Sequence, residues 1–280
     1  MKEKFLSLNS PKVYQYGPKI PLTSYLKDAW HGREVAWYMA LRDMKVRYRE
    51  TLLGWSWALA QPLITVLFLV FVFQSIAQVP TGGVAPFLFG MSGYLIWGSF
   101  ANNIAHSTHL LRNSRSMIRK IYFPRILLPT SGFLVNMIET LVALMMLFAA
   151  AFYYDQFDIQ HPLALVVVLL SAALVSWGIS SVLAGINLRY RDVNFIIPII
   201  LRMGLIITPI AFSVQAVPES YQLLMYFNPA TPFIELLRWS LWGLECEMSA
   251  VYFACGWTLL LPMMGILYLN WLDRFIADVL

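Results

Sequence analysis

Hydrophobic residues in this 280-residue chain form long runs, and short segments between the runs hold nearly all of the charge. No Asp, Glu, Lys or Arg occurs from Thr51 to Leu111, from Ile159 to Leu188 or from Met248 to Leu272. Because hydrocarbon cannot satisfy backbone N–H and C=O groups, runs of about 20 apolar residues predict spanning helices. We therefore predict an all-α integral membrane protein. Its six transmembrane helices are expected near Trp57–Val79, Phe87–Ala105, Leu128–Tyr153, Pro162–Ile186, Val193–Ser213 and Ala250–Leu272.

The composition agrees with a membrane protein. Charged residues make up 12% of the chain and hydrophobic ones 59%, whereas soluble domains carry about 25% charged residues. The first span follows 56 residues of mixed polarity, so we do not interpret it as a cleaved signal peptide. Cys246 and Cys255 are too few for a disulfide framework and lie in no metal-binding motif.

The basic residues are predicted to lie on one side of the membrane. Of the 20 Lys and Arg, ten precede Trp57, five lie in residues 112–125, two are Arg189 and Arg191, and one is Arg274. The connections at Pro80–Pro86 and Tyr154–His161 contain none. The positive-inside rule makes the basic side the cytoplasm. Both termini, including an extension over residues 1–23 and a tail over residues 273–280, are then cytoplasmic.

The segment 24–50 has the periodicity of an amphipathic helix. One stripe is apolar, with helical spacings of three, four and seven, and the opposite face is charged. We expect this interface helix to lie along the membrane surface; packing on a soluble partner domain is the alternative. The stripe consists of Leu26, Trp30, Trp37, Leu41, Met44 and Tyr48.

The external segment 214–249 precedes the last span and contains two helical pieces, Glu219–Phe227 and Pro232–Gly243. Thr231 followed by Pro232 is typical of a helix start. The second piece is apolar but too short to cross about 30 Å of hydrocarbon. We predict a re-entrant or interfacial helical hairpin within the six-span domain 51–272; a folded external loop is the alternative.

Motifs of catalysis are missing from the sequence. It contains no GxxxxGK[ST], HExxH, GxSxG or CxxC, so we expect neither ATP hydrolysis by a phosphate loop nor another enzymatic activity. His106 and His109 have helical spacing but no third ligand nearby, and we interpret them as polar contact residues. We expect no cofactor, no metal and no nucleic-acid partner for this chain.

Two charges fall inside predicted spans, where charges are costly. Glu139 and Arg202 lie at similar depths from the cytoplasmic ends of the third and fifth spans. A structural ion pair between them and a polar substrate path are the two interpretations.

The second span carries Tyr94, Trp97 and Phe100, followed by Asn103. Aromatic faces beside amide groups suit sugar rings, so these four residues are candidates for a substrate path. Ordinary helix packing explains the same pattern.

Three segments resemble the membrane subunit of type-2 ABC exporters for polysaccharides: Arg42–Leu63 (RDMKVRYRETLLGWSWALAQPL), Ile118–Pro129 (IRKIYFPRILLP) and Ile186–Val193 (INLRYRDV). Phe227–Gly243 (FNPATPFIELLRWSLWG) resembles the external hairpin of that family. The resemblance extends from about Leu22 to Leu272, with the motifs in order. That family exports O-antigen, capsule and teichoic acid precursors.

The resemblance implies a homodimer whose pore lies between the copies, with two copies of a separate ATPase that binds ATP and Mg. It implies an inner-membrane protein that translocates polysaccharide on undecaprenyl diphosphate. We favour O-antigen, then capsule or teichoic acid, then a drug or haem exporter of the same superfamily. A membrane-embedded glycosyltransferase is disfavoured, because the outer face offers Arg238 as its one basic residue.

The resemblance also assigns residues. The interface helix and the cytoplasmic element 111–125 are expected to contact the ATPase, through Arg42, Arg112, Ser114, Arg115, Ser116, Met117 and Ile118. The anionic lipid diphosphate is expected near the basic residues at the cytoplasmic headgroups, although the positive-inside bias predicts the same residues. These are Arg47, Arg49, Arg119, Lys120, Arg189 and Arg191.

Overall fold

The computed structural model describes residues 21–49, 51–114 and 123–279. These residues form helices and connecting segments without a strand, which confirms the all-α prediction. The α-helices are α1 (Leu22–His31), α2 (Arg33–Tyr48), α3 (Trp57–Val70), α4 (Pro86–Asn113), α5 (Leu127–Tyr153), α6 (Pro162–Arg189), α7 (Val193–Ile207), α8 (Glu219–Met225), α9 (Thr231–Trp242) and α10 (Met248–Val279).

Among the described residues, four helical segments are long and apolar enough to cross a membrane: Gly54–Ile76, Leu127–Tyr153, Pro162–Arg189 and Met248–Asp273. They correspond to the first, third, fourth and sixth predicted spans. The first consists of a 3-10 turn, α3 and a π-helical turn at Phe71–Ile76. Helix α7 is apolar but has 15 residues, a length of about 22 Å at about 1.5 Å per residue.

Helix α4 corresponds to the second predicted span and occupies the centre of the bundle, against α3, α5 and α6. Every residue from Leu88 to Phe100 is buried. Its polar side chains therefore face other helices: Asn103 Nδ2 donates to Ser176 Oγ at 2.9 Å. Burial explains why this 28-residue helix is less hydropathic than its lipid-exposed neighbours.

Helices α6 and α10 approach each other closely through glycine. A Cβ on Gly178 would lie 2.5 Å from the backbone carbonyl carbon of Leu261. Gly265 lies directly opposite, where a Cβ would be 3.0 Å from the Gly178 carbonyl oxygen. The contact is thus made backbone to backbone, with no room for a side chain.

The predicted interface helix is two helices. The helix is interrupted at Gly32, between α1 and α2. The Leu127 side chain packs where a Cβ of Gly32 would be. The side of α2 that packs on α5 contains Ala36, Met39 and Ala40, all buried. The predicted apolar stripe lies beside it and is more exposed, with Trp30 at 69% and Trp37 at 47%.

Helices α8 and α9 match the two pieces predicted in segment 214–249. Helix α9 is not a surface loop: from Thr231 to Leu241, all residues except Leu236 and Trp239 are buried against α4, α6 and α10. It ends at Gly243, whose φ of 64° is the left-handed conformation of a helix C-cap.

Candidate functional site

A polar pocket of about 210 Å³ lies between α3, α4 and α5. The C-terminal turn of α2 contributes Arg47 to its rim. Aromatic, amide, hydroxyl and charged side chains share this small space within an otherwise apolar bundle. The lining residues are Arg47, Trp57, Ala58, Gln61, Pro62, Tyr94, Leu95, Gly98, Ser99, Asn102, Asn136, Glu139, Thr140 and Ala143.

The floor and rim of the pocket carry an ion pair. Arg47 Nη1 donates to Glu139 Oε1, and Asn102 Nδ2 lies 3.5 Å from Glu139 Oε2. The Arg47 and Glu139 side chains are 32% and 16% exposed, so the pair borders open space. It joins the end of α2 to the middle of α5.

The predicted pair between Glu139 and Arg202 is not what the structure shows. Arg202 lies exposed on α7, which packs against α4 and α6, whereas α5 packs against α2, α3, α4 and α6. Equal depth along two helices therefore did not bring these side chains together, because α5 and α7 pack mainly against other helices and not against each other. Arg47 takes the place of Arg202.

Asn136 contributes an unusual group to the pocket. Its side chain is 2% exposed, and its Nδ2 donates to the Ser99 carbonyl oxygen at 3.0 Å and to Ser99 Oγ at 3.1 Å. Its Oδ1 is buried without a hydrogen-bond partner among the described residues. A buried unpaired acceptor costs about 1–3 kcal/mol, so a hydrogen-bond donor that reaches this oxygen from the pocket is stabilised.

In helix α3 a proline removes the usual hydrogen-bond donor of a backbone carbonyl beside the pocket. Pro62 is buried within α3 and has no N–H to donate to the carbonyl of Ala58, one turn earlier. Both residues line the pocket. The proline thus weakens the helix ladder where the helix borders the pocket.

The four candidates for a substrate path separate in the structure. Tyr94 lines the pocket, whereas the other three pack against other helices. Trp97 is 7% exposed and contacts Gly204 of α7. The Phe100 ring lies 6.3 Å from that of Phe233, and Asn103 is fully buried in its bond to Ser176.

The predicted headgroup cations also separate. Arg47 belongs to the pocket, while Arg49 follows α2 and is exposed. Arg189 at the end of α6 lies over the Tyr190 ring at 5.4 Å, and Arg191 is exposed beyond it. Arg119 and Lys120 lie outside the described residues.

Two of the predicted ATPase contacts can be placed. Arg42 is 55% exposed on α2 and pairs with Asp43 at 2.8 Å. Ser114 is buried after α4. The backbone of Arg112 lies in α4, whereas Arg115, Ser116, Met117 and Ile118 lie outside the described residues.

A buried charged cluster that the sequence did not reveal joins three distant segments. Arg125 Nε lies 3.3 Å from Asp273 Oδ1, with the two side chains 4% and 1% exposed. Tyr25 of α1 is buried beside them, and burial together with the Asp273 carboxylate raises the pKa of its phenol. A lone Arg after a proline and a lone Asp after a span gave no signal of this contact.

Arg238 of α9 is another buried charged residue whose contacts the sequence did not predict. It is 3% exposed and donates to the carbonyl oxygens of Phe89, Ile210 and Phe212 at 3.2, 2.6 and 3.1 Å, and to Ser92 Oγ at 3.3 Å. Its guanidinium also covers the Phe89 ring at 3.6 Å. Arg238 therefore fastens α9 to α4 and to the chain after α7.

A bundle of long apolar helices around a buried helix of lower hydropathy, with a polar pocket at one side, defines a multi-pass α-helical membrane protein. The family model described as "ABC-2 type transporter" matches residues 34–242. The chain belongs to this family of membrane transporters, as its motifs predict.

Three similar proteins carry the names of transport proteins. An "O-antigen export system permease protein RfbA" of Klebsiella pneumoniae is 23% identical over 242 residues, 85% of this chain and 92% of the relative. A protein of the same name from Myxococcus xanthus is 23% identical over 73% of this chain and 78% of its own length. The "Polysialic acid transport protein KpsM" of Escherichia coli is 21% identical over 71% and 77%.

Proposed function

We propose that this chain is the permease subunit of an ATP-driven exporter. It translocates polysaccharide on undecaprenyl diphosphate, O-antigen in the first place, across the inner membrane. The observation that carries this proposal is the pocket, where a cation, amides, hydroxyls and aromatic rings meet inside the membrane domain of an ABC-2 transporter. The names of the relatives, which concern O-antigen and polysialic acid, support a saccharide substrate.

The proposal includes six spans with both termini in the cytoplasm. Helix α4 supports the count, because its 28 residues extend about 42 Å. The path of α9 supports the re-entrant hairpin: it runs from Phe233 beside Phe100 to Trp242, whose Nε1 donates to the Gln156 carbonyl oxygen. Since Phe100 lies 14 residues inside α4, α9 reaches about 21 Å into the bundle.

The proposal also includes a homodimer. One copy cannot pass a polymer through its own bundle, because Trp97, Phe100 and Asn103 are packed and the pocket is small. Helix α7 offers an exposed face on which Arg202 stands among apolar side chains. A charge facing lipid is costly, so this face fits a wet path or a second copy better than hydrocarbon.

The ATPase is proposed to be a separate subunit, present in two copies and binding ATP and Mg. The described part of α1 and α2, with exposed Arg42 and Trp30, offers it a surface. Capsular polysaccharide is the second candidate substrate, favoured by the similarity to the polysialic acid transport protein. Teichoic acid and small-molecule export follow.

Deletion of the gene in its host, followed by fractionation of lipid-linked glycans, tests this function. We expect completed polymer to accumulate on the cytoplasmic side and to disappear from the surface. Which surface polymer is lost decides between O-antigen and capsule. Unchanged surface glycans of every kind would refute the proposal.

A further inference from the structure

We propose that the pocket between α3, α4 and α5 recognises a glycosyl phosphate, the first sugar of the substrate together with its phosphate. The phosphate replaces Glu139 as the partner of Arg47. This inference rests on the proposed function. It adds which residues recognise the substrate, which part of the substrate they bind, and which contact within the protein changes on binding.

The phosphate half of the argument begins with Arg47. A guanidinium binds phosphate oxygens through two parallel hydrogen bonds, and this one is open to the pocket rim with a third of its side chain exposed. Partly exposed ion pairs are worth only about 0.2–1 kcal/mol. The diphosphate of the substrate carries two negative charges where the Glu139 carboxylate carries one, so phosphate displaces Glu139, which keeps Asn102 as a partner.

The sugar half begins with Asn136. Its buried Oδ1 lacks a donor among the described residues, and a sugar hydroxyl supplies one. Gln61 and Ser99 offer further amide and hydroxyl groups, and Trp57 and Tyr94 offer ring faces. Together these groups match the hydroxyl edges and C–H faces of a pyranose.

The volume of the pocket limits how many sugar units it can bind. Pockets for drug-sized ligands measure about 300–1,000 Å³, and this one measures about 210 Å³. It holds one sugar unit and not a chain. The polymer beyond that sugar must lie outside the pocket, on the exposed side toward Trp57 and Gln61.

Binding also changes a contact between helices. The Arg47–Glu139 pair ties the last turn of α2 to α5. When phosphate takes Arg47, this tie is lost and the end of the interface helix is held by the ligand instead. By linkage, if the ligand changes the affinity of α2 for a partner by some factor, that partner changes the affinity of the pocket for the ligand by the same factor.

Binding of radiolabelled undecaprenyl-diphosphate-N-acetylglucosamine to the full transporter in lipid nanodiscs tests the inference. We expect Arg47→Gln to weaken binding by about tenfold, the effect of losing hydrogen bonds to a charged group. Glu139→Gln removes the competitor and should tighten binding by up to about fivefold. Arg33→Gln and Glu34→Gln, which lie on α2 away from the pocket, are the matched controls and should leave it unchanged.

Two further variants test recognition of the sugar, and two further ligands, undecaprenyl diphosphate and phosphatidylglycerol, show whether the site binds any phosphate. Gln61→Ala changes an exposed side chain and spares the fold; Asn136→Leu tests the buried acceptor. Both should weaken binding of the glycosylated lipid and leave undecaprenyl diphosphate unaffected. Equal losses for both lipids would overturn sugar recognition, and the same Arg47 dependence for phosphatidylglycerol would reduce the site to a general headgroup contact.

The inference and the proposed function fail differently. If deletion blocks polymer export but Arg47→Gln and Glu139→Gln bind the labelled lipid like the parent protein, the pocket assignment is wrong and the exporter remains. If deletion leaves every surface glycan unchanged, the function is wrong as well.

Discussion

At the scale of single residues, the buried charges of this protein are held by groups from separate segments. Arg238 is the extreme case, since it serves four acceptors from α4 and from the chain after α7. Removing a cation from water is costly unless its hydrogen bonds are replaced. Arg238 meets that requirement with carbonyl oxygens, which themselves need donors.

Arg238→Lys should therefore destabilise the protein. An ammonium keeps the charge but cannot reach acceptors in the fork geometry of a guanidinium. Carbonyls left without a donor cost about 1–3 kcal/mol each, so we expect a loss of at least about 2 kcal/mol and a lower melting temperature in detergent.

Arg202→Lys is the matched control, because Arg202 is exposed on α7. Its melting temperature should equal that of the parent protein. Equal melting temperatures for both variants would show that the carbonyl contacts of Arg238 contribute little.

Residue-level chemistry was only partly predictable from the sequence. A charge in a span announced that Glu139 needs a partner, but depth along a helix does not give the direction of a side chain. The partner, Arg47, lies 92 positions away in sequence, on a helix outside the spans. The same limit hid the Arg125–Asp273 pair and the pocket itself.

At the scale of elements, close helix contacts depend on residues without side chains. Helices α6 and α10 meet where Gly178 faces the Leu261 and Pro262 backbone. Backbone cannot yield as a flexible side chain does, so substitution at Gly178 must push the helices apart. Small residues at such contacts are typical of membrane helix packing.

Gly178→Ala tests this contact. We expect destabilisation of about 1–3 kcal/mol, the cost of overpacking, measured as a shift of thermal unfolding in detergent. Gly256→Ala on α10 is the control, since among the described residues no atom beyond its own helix turn and its chain neighbours lies within 4 Å of the added Cβ, and alanine favours a helix by up to about 1 kcal/mol. Destabilisation by Gly256→Ala equal to that by Gly178→Ala would contradict the role of the contact.

Helix identity was predictable where hydrophobicity is long and continuous, and helix limits were not. The interface segment was predicted as one helix, yet it breaks at Gly32, where Leu127 packs against the glycine. Helix α4 continues to Asn113, eight residues beyond its predicted end at Ala105, because a polar helix goes on when other helices cover it. Hydropathy predicts which helices are exposed to lipid, and it does not predict which helices are buried by neighbouring helices.

At the scale of the whole molecule, the order of apolar segments was enough to predict an all-helical membrane protein, and the resemblance of its sequence motifs predicted the transporter family. The rotation of each helix about its axis was not predictable, and that rotation decides which faces remain open. Helix α7 shows the consequence: Ile197 is its buried residue, whereas Arg202 and most apolar side chains are exposed. A face of this kind needs an environment other than lipid alone.

We expect that environment to be a second copy of the chain, across a shared path. Single cysteines at Ile199 and Met203, which flank Arg202 on α7 and are 56% exposed each, should form disulfide-linked dimers on oxidation in native membranes. The background carries Cys246→Ser and Cys255→Ser, since both native cysteines are free. A cysteine at Val167, 54% exposed on α6 without a charged neighbour, should remain monomeric as the lipid-facing control. Dimers from Val167 but not from Met203 would assign the contact between copies to α6 and leave the Arg202 face without a partner.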